Sequence, residues 1–174
     1  CGLAVHEHQP TAYRKAFEGD SMSAFGGIVG FNTKVTVETA EEMQGVLLDV
    51  IVAPGYDPEA LNILQKRKST RVIEVKPSRS SLDGIDFRTV SGGALVQITD
   101  SICEDPLAWE VVTKKSPSDQ QLEDLYFAVK AMKNIKSNSI VLAKDQAIVG
   151  MGAGQPNRVT SVHLGLRVAG EKAH

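Results

Sequence analysis

The segment Gly150-Met151-Gly152-Ala153-Gly154-Gln155, with Arg158 just behind it, sets glycines and a guanidinium between a strand-like run and an amphipathic stretch. That combination can hold an anion. Glycine lets backbone approach a ligand, a helix N-terminus offers N–H donors, and arginine adds a bidentate cation. It is not a dinucleotide loop: the third glycine of G-x-G-x-x-G falls on Gln155, and no βαβ continuation carries an acid about 20 residues on. The plain alternative is a turn with a solvated arginine. In Lys136-Ser137-Asn138-Ser139, Asn138 offers both a donor and an acceptor to a planar amide or heterocycle, or is an ordinary turn residue. Asp49 directly precedes the apolar run Val50-Ile51-Val52-Ala53, where a carboxylate is either exposed or engaged, since burial without a partner is costly. The glycines of Ser23-Ala24-Phe25-Gly26-Gly27 can bring backbone against a flat ligand, or the segment is a turn with a core phenylalanine. His6-Glu7-His8 suggests metal or acid–base work, but its residues are sequential rather than at i, i+4 spacing, so a solvated loop is the simpler reading. His163 reads as a packed or surface histidine. No G-x-S-x-G elbow, Ser/His/Asp pattern or Walker loop is present.

The elements that must position these residues follow from periodicity. Thr11–Glu18 is expected to be helical, with Gly19 as its stop. Ile28-Val29-Gly30-Phe31 reads as a short buried strand. A second helix is expected from Thr39 to Leu48, starting nearer Thr36 at capping-box spacing. Val50–Ala53 reads as a strand covered on both faces and ended by Pro54-Gly55. Asp57-Pro58-Glu59 opens a helix with Asp at the N-cap and Pro at N1, closing on Lys66-Arg67-Lys68. Arg71–Val75 is the next strand, Lys76–Asp86 a loop, and Phe87–Thr99 carries strand signals around Gly92-Gly93. Asp100–Pro117 reads as irregular. Ser118–Ile135 is the strongest helix, with Leu122, Leu125, Tyr126, Val129 and Met132 recurring at 3–4 spacing. Ser139–Ala143 and Ala147–Gly150 form a hairpin around Lys144-Asp145-Gln146, and Arg158–Ala173 is a last amphipathic helix. Strands alternating with helices predict an α/β layered fold with a mostly parallel sheet, one hairpin and helices on both faces. In such folds ligands gather at the carboxyl ends of strands, which nominates the loops at Ser23–Gly27, Pro54–Tyr56, Lys136–Ser139 and Gly152–Arg158.

Composition bounds the rest. With 174 residues, 42% hydrophobic and 23% charged, the chain is long enough for one domain with its own core. Nineteen Lys and Arg against 21 Asp and Glu leave a net charge of −2, which advertises neither nucleic acid nor an anionic membrane as a partner. Cys1 and Cys103 make no disulfide framework, and no C-x-x-C pair suggests zinc. There is no basic n-region with an apolar h-region and no run of about 18 apolar residues. The first residue is Cys1 rather than methionine, which leads us to expect a processed N-terminus or a piece of a longer protein.

Several motifs occur in a set order: Ala12-Tyr13 through Asp20; Ser23-Ala24-Phe25-Gly26-Gly27-Ile28-Val29 with Phe31-Asn32; Asp49 through Tyr56 with Glu59-Ala60-Leu61; Gly92-Gly93 with Leu95-Val96-Gln97; Lys136–Ser139; and Gly150–Gln155 with Arg158-Val159. Each is modest alone, but as an ordered set they resemble the aminoimidazolecarboxamide ribonucleotide (AICAR) transformylase domain, which in its family is joined to an IMP cyclohydrolase. The resemblance implies a cytidine-deaminase-like α/β fold and transfer of a formyl group from 10-formyltetrahydrofolate to the 5-amino group of AICAR. It implies nucleotide binding by Gly26, Asp49, Asn138 and Arg158, with Phe25 lining the site, and a folate contact at Val159.

The deaminase zinc signature, H-x-E with P-C-x-x-C, is absent, in keeping with a family that uses no catalytic metal. The resemblance also implies a cytoplasmic homodimer that takes AICAR and folate. The family's Lys-His pair belongs to a K-H-x-N-P-C-G-type segment whose Cys-Gly corresponds to Cys1-Gly2, so no catalytic residue is expected within the chain. The family's second half and the cyclohydrolase domain are expected outside it too. The whole of residues 1–174 is then a single domain, part of a transformylase and weak or inactive alone. Two rivals remain: a non-catalytic purine-nucleotide-binding module or subunit, and a deaminase-type zinc enzyme.

Overall fold

The computed structural model describes residues 1–76, 84–100 and 105–173. The chain divides into two compact units, one of Cys1–Lys76 with Val112–His174 and one of Pro77–Val111.

In the larger unit, α1 (Gln9–Gly19) leads through a turn to β1 (Gly27–Gly30). Then come α2 (Val37–Glu42), β2 (Leu48–Ala53), α3 (Pro58–Leu64) and β3 (Arg71–Glu74). These strands form a parallel sheet in the order β1-β2-β3. β2 is central, which explains its unbroken apolar run: Leu48, Ile51 and Ala53 are buried on it. The core joins these residues to Val35, Ala40 and Met43 around α2 and to Ala60 and Leu64 of α3.

The second helix is shorter than the expected Thr39–Leu48. Thr36 caps it by accepting a hydrogen bond from the Thr39 amide, but no glutamate completes a capping box. The chain leaves the helix after Glu42 and passes Gly45 at φ +82, freeing Leu48 to open β2. Asp57 flanks α3 as expected, yet its side chain does not cap; its carboxylate pairs with Lys34 at 2.7 Å. From the basic run after α3, Arg67 donates to the backbone oxygens of Met43 and Val46. The Met43 carbonyl is one that the C-terminal end of α2 leaves without a helical partner.

The second part of this unit holds α4 (Asp119–Met132), β6 (Ile140–Lys144), β7 (Ala147–Gly152) and α5 (Arg158–Ala169). Ser118 and Gln121 form a capping box at the start of α4. β6 and β7 pair antiparallel through a two-residue turn in which Asp145 and Gln146 both have positive φ. Asp124 of α4 accepts from both turn amides, at 3.1 and 2.7 Å. Phe127 and Ala131 of α4 meet Ile148 of β7 in a second small core.

α5 lies against β7 at backbone contact. A Cβ added at Gly152 would stand 2.1 Å from the Ser161 carbonyl oxygen, and one at Gly150 2.3 Å from that of Gly165. Only glycine fits such an approach. The helix expected to run to Ala173 ends at Ala169 and gives way to a 3₁₀ turn, Gly170–Ala173.

The smaller unit contains the hairpin β4 (Ile85–Val90) and β5 (Gly93–Ile98), paired antiparallel in full register, followed by a 3₁₀ turn at Pro106–Ala108. The Lys76–Asp86 loop reading falls largely on residues 77–83, and part of the irregular stretch, with Cys103, on 101–104; both lie outside the described residues. The α/β class therefore holds, with a three-stranded parallel sheet and, among the described residues, two hairpins rather than one. No helix among the described residues is long and apolar enough to cross a membrane.

Two stability results are expected. Gly152→Ala should lower the unfolding free energy by roughly 3 kcal/mol, because the new methyl overlaps backbone that cannot yield. Tyr13 has the opposite character. Its ring packs against Phe17 and Phe31, but among the described residues its buried hydroxyl has no hydrogen-bond partner, and burial pushes its pKa up. Tyr13→Phe should therefore be neutral or gain up to about 1 kcal/mol. Chemical denaturation with both variants checks each value.

Candidate functional site

The sequence-nominated residues fall into two groups within the larger unit. The first lies at the turn entering β1 and at the start of β2. A turn links the Gly27 amide to the Ala24 carbonyl at 3.0 Å, and the Ser23 amide donates to Asp20. Gly26 adopts φ +68 and donates its N–H to the Leu47 carbonyl at 2.9 Å, tying this turn to the residue before β2. Phe25 is not a core phenylalanine: it is 75% exposed.

Asp49 sits inside β2 rather than before it. Gly27 pairs with Leu48 and Ile28 with Val50, so Asp49 is the extra residue of a bulge. A bulge breaks the ladder locally and re-aims the side chain of its extra residue. Asp49 is exposed, and among the described residues its carboxylate has no ion pair or hydrogen bond. Its Oδ2 lies 4.0 Å from where a Cβ on Gly26 would stand, so the space left by that glycine opens directly onto the carboxylate. This group lies at the amino ends of β1 and β2. Of the nominated loops, Ser23–Gly27 thus precedes β1 rather than following a strand, whereas the Pro54–Tyr56 segment follows the carboxyl end of β2. There the Tyr56 hydroxyl is held 3.0 Å from the Ile51 carbonyl and 2.9 Å from that of Ile73.

The second group closes the open end of the β6–β7 hairpin. The Gly154 amide donates to Lys136 O, and the backbones of Asn138 and Gln155 exchange N–H to O bonds at 3.2 Å each way. The Asn138 side-chain nitrogen donates to Gln155 O at 3.1 Å and to Pro156 O at 3.2 Å. Sequence reading allowed Asn138 a free donor and a free acceptor. The structure commits both amide hydrogens to backbone, leaving Oδ1 as the atom able to meet a ligand.

Asn157 caps α5, its side chain accepting from the Thr160 amide at 2.9 Å. Arg158 and Val159 form the exposed first turn of that helix, Val159 being 64% exposed. Arg158 thus stands at a helix N-terminus with Asn138 clasped to the two residues before its cap. No hydrogen bond or ion pair among the described residues joins this group to Gly26 and Asp49.

Gly150 and Gly152 admit α5 to β7. His8 contacts Thr11 and Glu38, and among the described residues no group of three or more His, Cys, Asp and Glu is arranged to hold a metal. Sequence reading missed Ser161, which is fully buried and donates to the Asn138 carbonyl at 2.9 Å. Its one available signal was a small hydroxyl residue four positions after a capping asparagine.

Residues 1–168 match the family model described as AICARFT/IMPCHase bienzyme. The chain is 45% identical over 173 residues to the bifunctional purine biosynthesis protein PurH of Trichodesmium erythraeum (strain IMS101), covering 99% of this chain and 33% of that protein. It is 43% identical over 182 residues to the corresponding protein of Dictyostelium discoideum, covering 99% and 34%. With PurH of Listeria monocytogenes (strain EGD-e) the identity is 43% over 173 residues, covering 99% and 34%. The chain thus spans about a third of the length of the curated relatives it matches.

The Asn138 clasp predicts a pH-dependent defect. Asn138→Asp turns a carboxylate toward two carbonyl oxygens and should cost about 2 kcal/mol at pH 7. That geometry raises the new carboxyl's pKa above the ordinary value near 4, so its neutral form is the tolerated one. The deficit should shrink as pH falls toward 4, as read by thermal unfolding against the parent chain at both pH values.

Proposed function

The chain belongs to the AICARFT/IMPCHase bienzyme family, and from that premise we propose that it forms part of a purine-biosynthesis transformylase, holding AICAR for formyl transfer from 10-formyltetrahydrofolate. The observation that carries this reading is Asp49: an exposed carboxylate on a bulge, with no hydrogen bond or ion pair among the described residues, beside the space left by Gly26. A carboxylate in that state can accept hydrogen bonds from an amine or a carboxamide.

In the reaction the 5-amino nitrogen attacks the formyl carbon, an oxyanion forms, and the N10 bond of the folate breaks as the amine proton leaves. An aryl amine is a poor nucleophile, because its lone pair is delocalised into the imidazole. The first task of a site is therefore to hold that nitrogen against the carbonyl. Asp49 and the Asn138 Oδ1 supply acceptors for the amine and carboxamide, and Phe25 supplies an exposed apolar ring. Arg158, at the N-terminus of α5, supplies a cation for the ligand's anionic part, and Val159 an apolar contact for the folate. Proton removal and oxyanion stabilisation are assigned to the Lys-His pair that the resemblance puts ahead of Cys1. Turnover is thus a property of the longer protein, which we propose is a cytoplasmic homodimer.

Calorimetry with AICAR tests this reading. The chain should bind it, and Asp49→Asn and Arg158→Ala should each weaken binding about tenfold or more, the worth of one charged hydrogen bond. Formyl transfer should appear when the chain is extended upstream. Equal affinity in both variants would sink the site assignment, and binding without turnover in the extended protein would favour a non-catalytic nucleotide module.

A further inference from the structure

Ser161 lies on α5 with its side chain fully buried. A serine within a helix ordinarily returns its hydroxyl hydrogen to the carbonyl four residues earlier. That carbonyl, Asn157 O, is 3.4 Å away, whereas the shorter contact, 2.9 Å, runs to Asn138 O, 23 residues distant in sequence. The Asn138 carbonyl also accepts from the Gln155 amide at 3.2 Å. Both of its lone-pair directions are thus used, while the Asn138 amide and side-chain nitrogen donate to Gln155 and Pro156. Every polar atom of Asn138 except Oδ1 is held. The serine reaches this place because Gly152 lets the Ser161 backbone approach β7 closer than any side chain would allow.

We propose that Ser161 is a positioning residue of the nucleotide site, its hydroxyl locking the 136–139 loop to the first turn of α5. The Asn138 Oδ1 and the Arg158 guanidinium then face a ligand in a fixed relation. The proposal rests on the AICAR-binding reading above, and Ser161 itself touches no ligand. Without its hydroxyl the Asn138 carbonyl keeps one partner, the two loops are free to part, and recognition weakens although no ligand contact is removed.

The experiment is amide hydrogen exchange by NMR, joined to AICAR calorimetry, on the whole chain with Ser161→Ala and the near-isosteric, weakly donating Ser161→Cys. In Ser161→Ala, the Asn138 and Gln155 amides should exchange about tenfold faster while amides of the β1–β2–β3 sheet stay unchanged. AICAR affinity should fall by a similar factor, with Ser161→Cys lying between the parent and Ser161→Ala in both readings. Unchanged exchange at Asn138 and Gln155, or acceleration spread evenly over the sheet, would overturn the lock; Ser161→Cys decides this if Ser161→Ala does not fold. Faster exchange with undiminished AICAR affinity would overturn its role in recognition. A parent chain that shows no AICAR binding would overturn the functional reading instead, and local acceleration in Ser161→Ala would still support the lock.

Discussion

Much of the second half of the larger unit depends on one steric constraint, the backbone contact between α5 and β7. Helix and strand ordinarily keep apart by the width of their side chains. Here Gly150 and Gly152 remove that spacer, and the carbonyls of Gly165 and Ser161 come within about an atom's width of where Cβ atoms would be. The approach brings the buried Ser161 hydroxyl under the end of the hairpin and carries the start of α5 to the Gln155 and Pro156 carbonyls that Asn138 grips. Asp124 holds the other end by binding both amides of the β6–β7 turn. The hairpin is hydrogen-bonded at both ends, and the contacts beneath Arg158 do not involve its own charge.

The parallel sheet handles its candidate residues differently. Asp49 belongs to a strand whose alternation should turn successive side chains to opposite faces. The bulge opposite Gly27 and Ile28 interrupts that alternation and leaves the carboxylate without a ladder partner. Gly26 contributes less by its own chemistry than by what it lacks. Its positive φ bends the chain so that its N–H reaches Leu47, and its missing side chain clears the space in front of Asp49. One irregularity in register and one in backbone conformation meet at the same point, on the amino edge of the sheet where ligand sites are uncommon.

How much of this was legible varies with the range of the interaction. The capping serine of α4, the two-residue turn at Asp145-Gln146 and the proline-opened α3 are local, and their residue types announce them. The early end of α2 was not legible, because residues 43–48 carry helix-compatible apolar spacing and only pairing with Gly27 of β1 makes Leu48 a strand residue. Asp57 looked like a cap by position but was drawn to Lys34, a competition invisible to periodicity. Phe25 stood open between a core ring and a site-lining one and is exposed, since hydrophobicity alone does not say what will cover a ring.

Residue order and type alone were enough for the α/β class and for the ordered motifs that mark the family, and they nominated positions whose chemistry suits an anionic, hydrogen-bonding ligand. Only the tertiary structure decided which atoms of those residues remain available. It engaged the Asn138 amide nitrogen and left Oδ1, set Asp49 on a bulge, and gave Gly150 and Gly152 of the glycine-rich segment to the packing of α5 while Gly154 stayed open. The physical reason is common to all three. A residue's type sets what bonds it can make, whereas the partners that use them up come from segments distant in the chain, brought near only when the backbone packs.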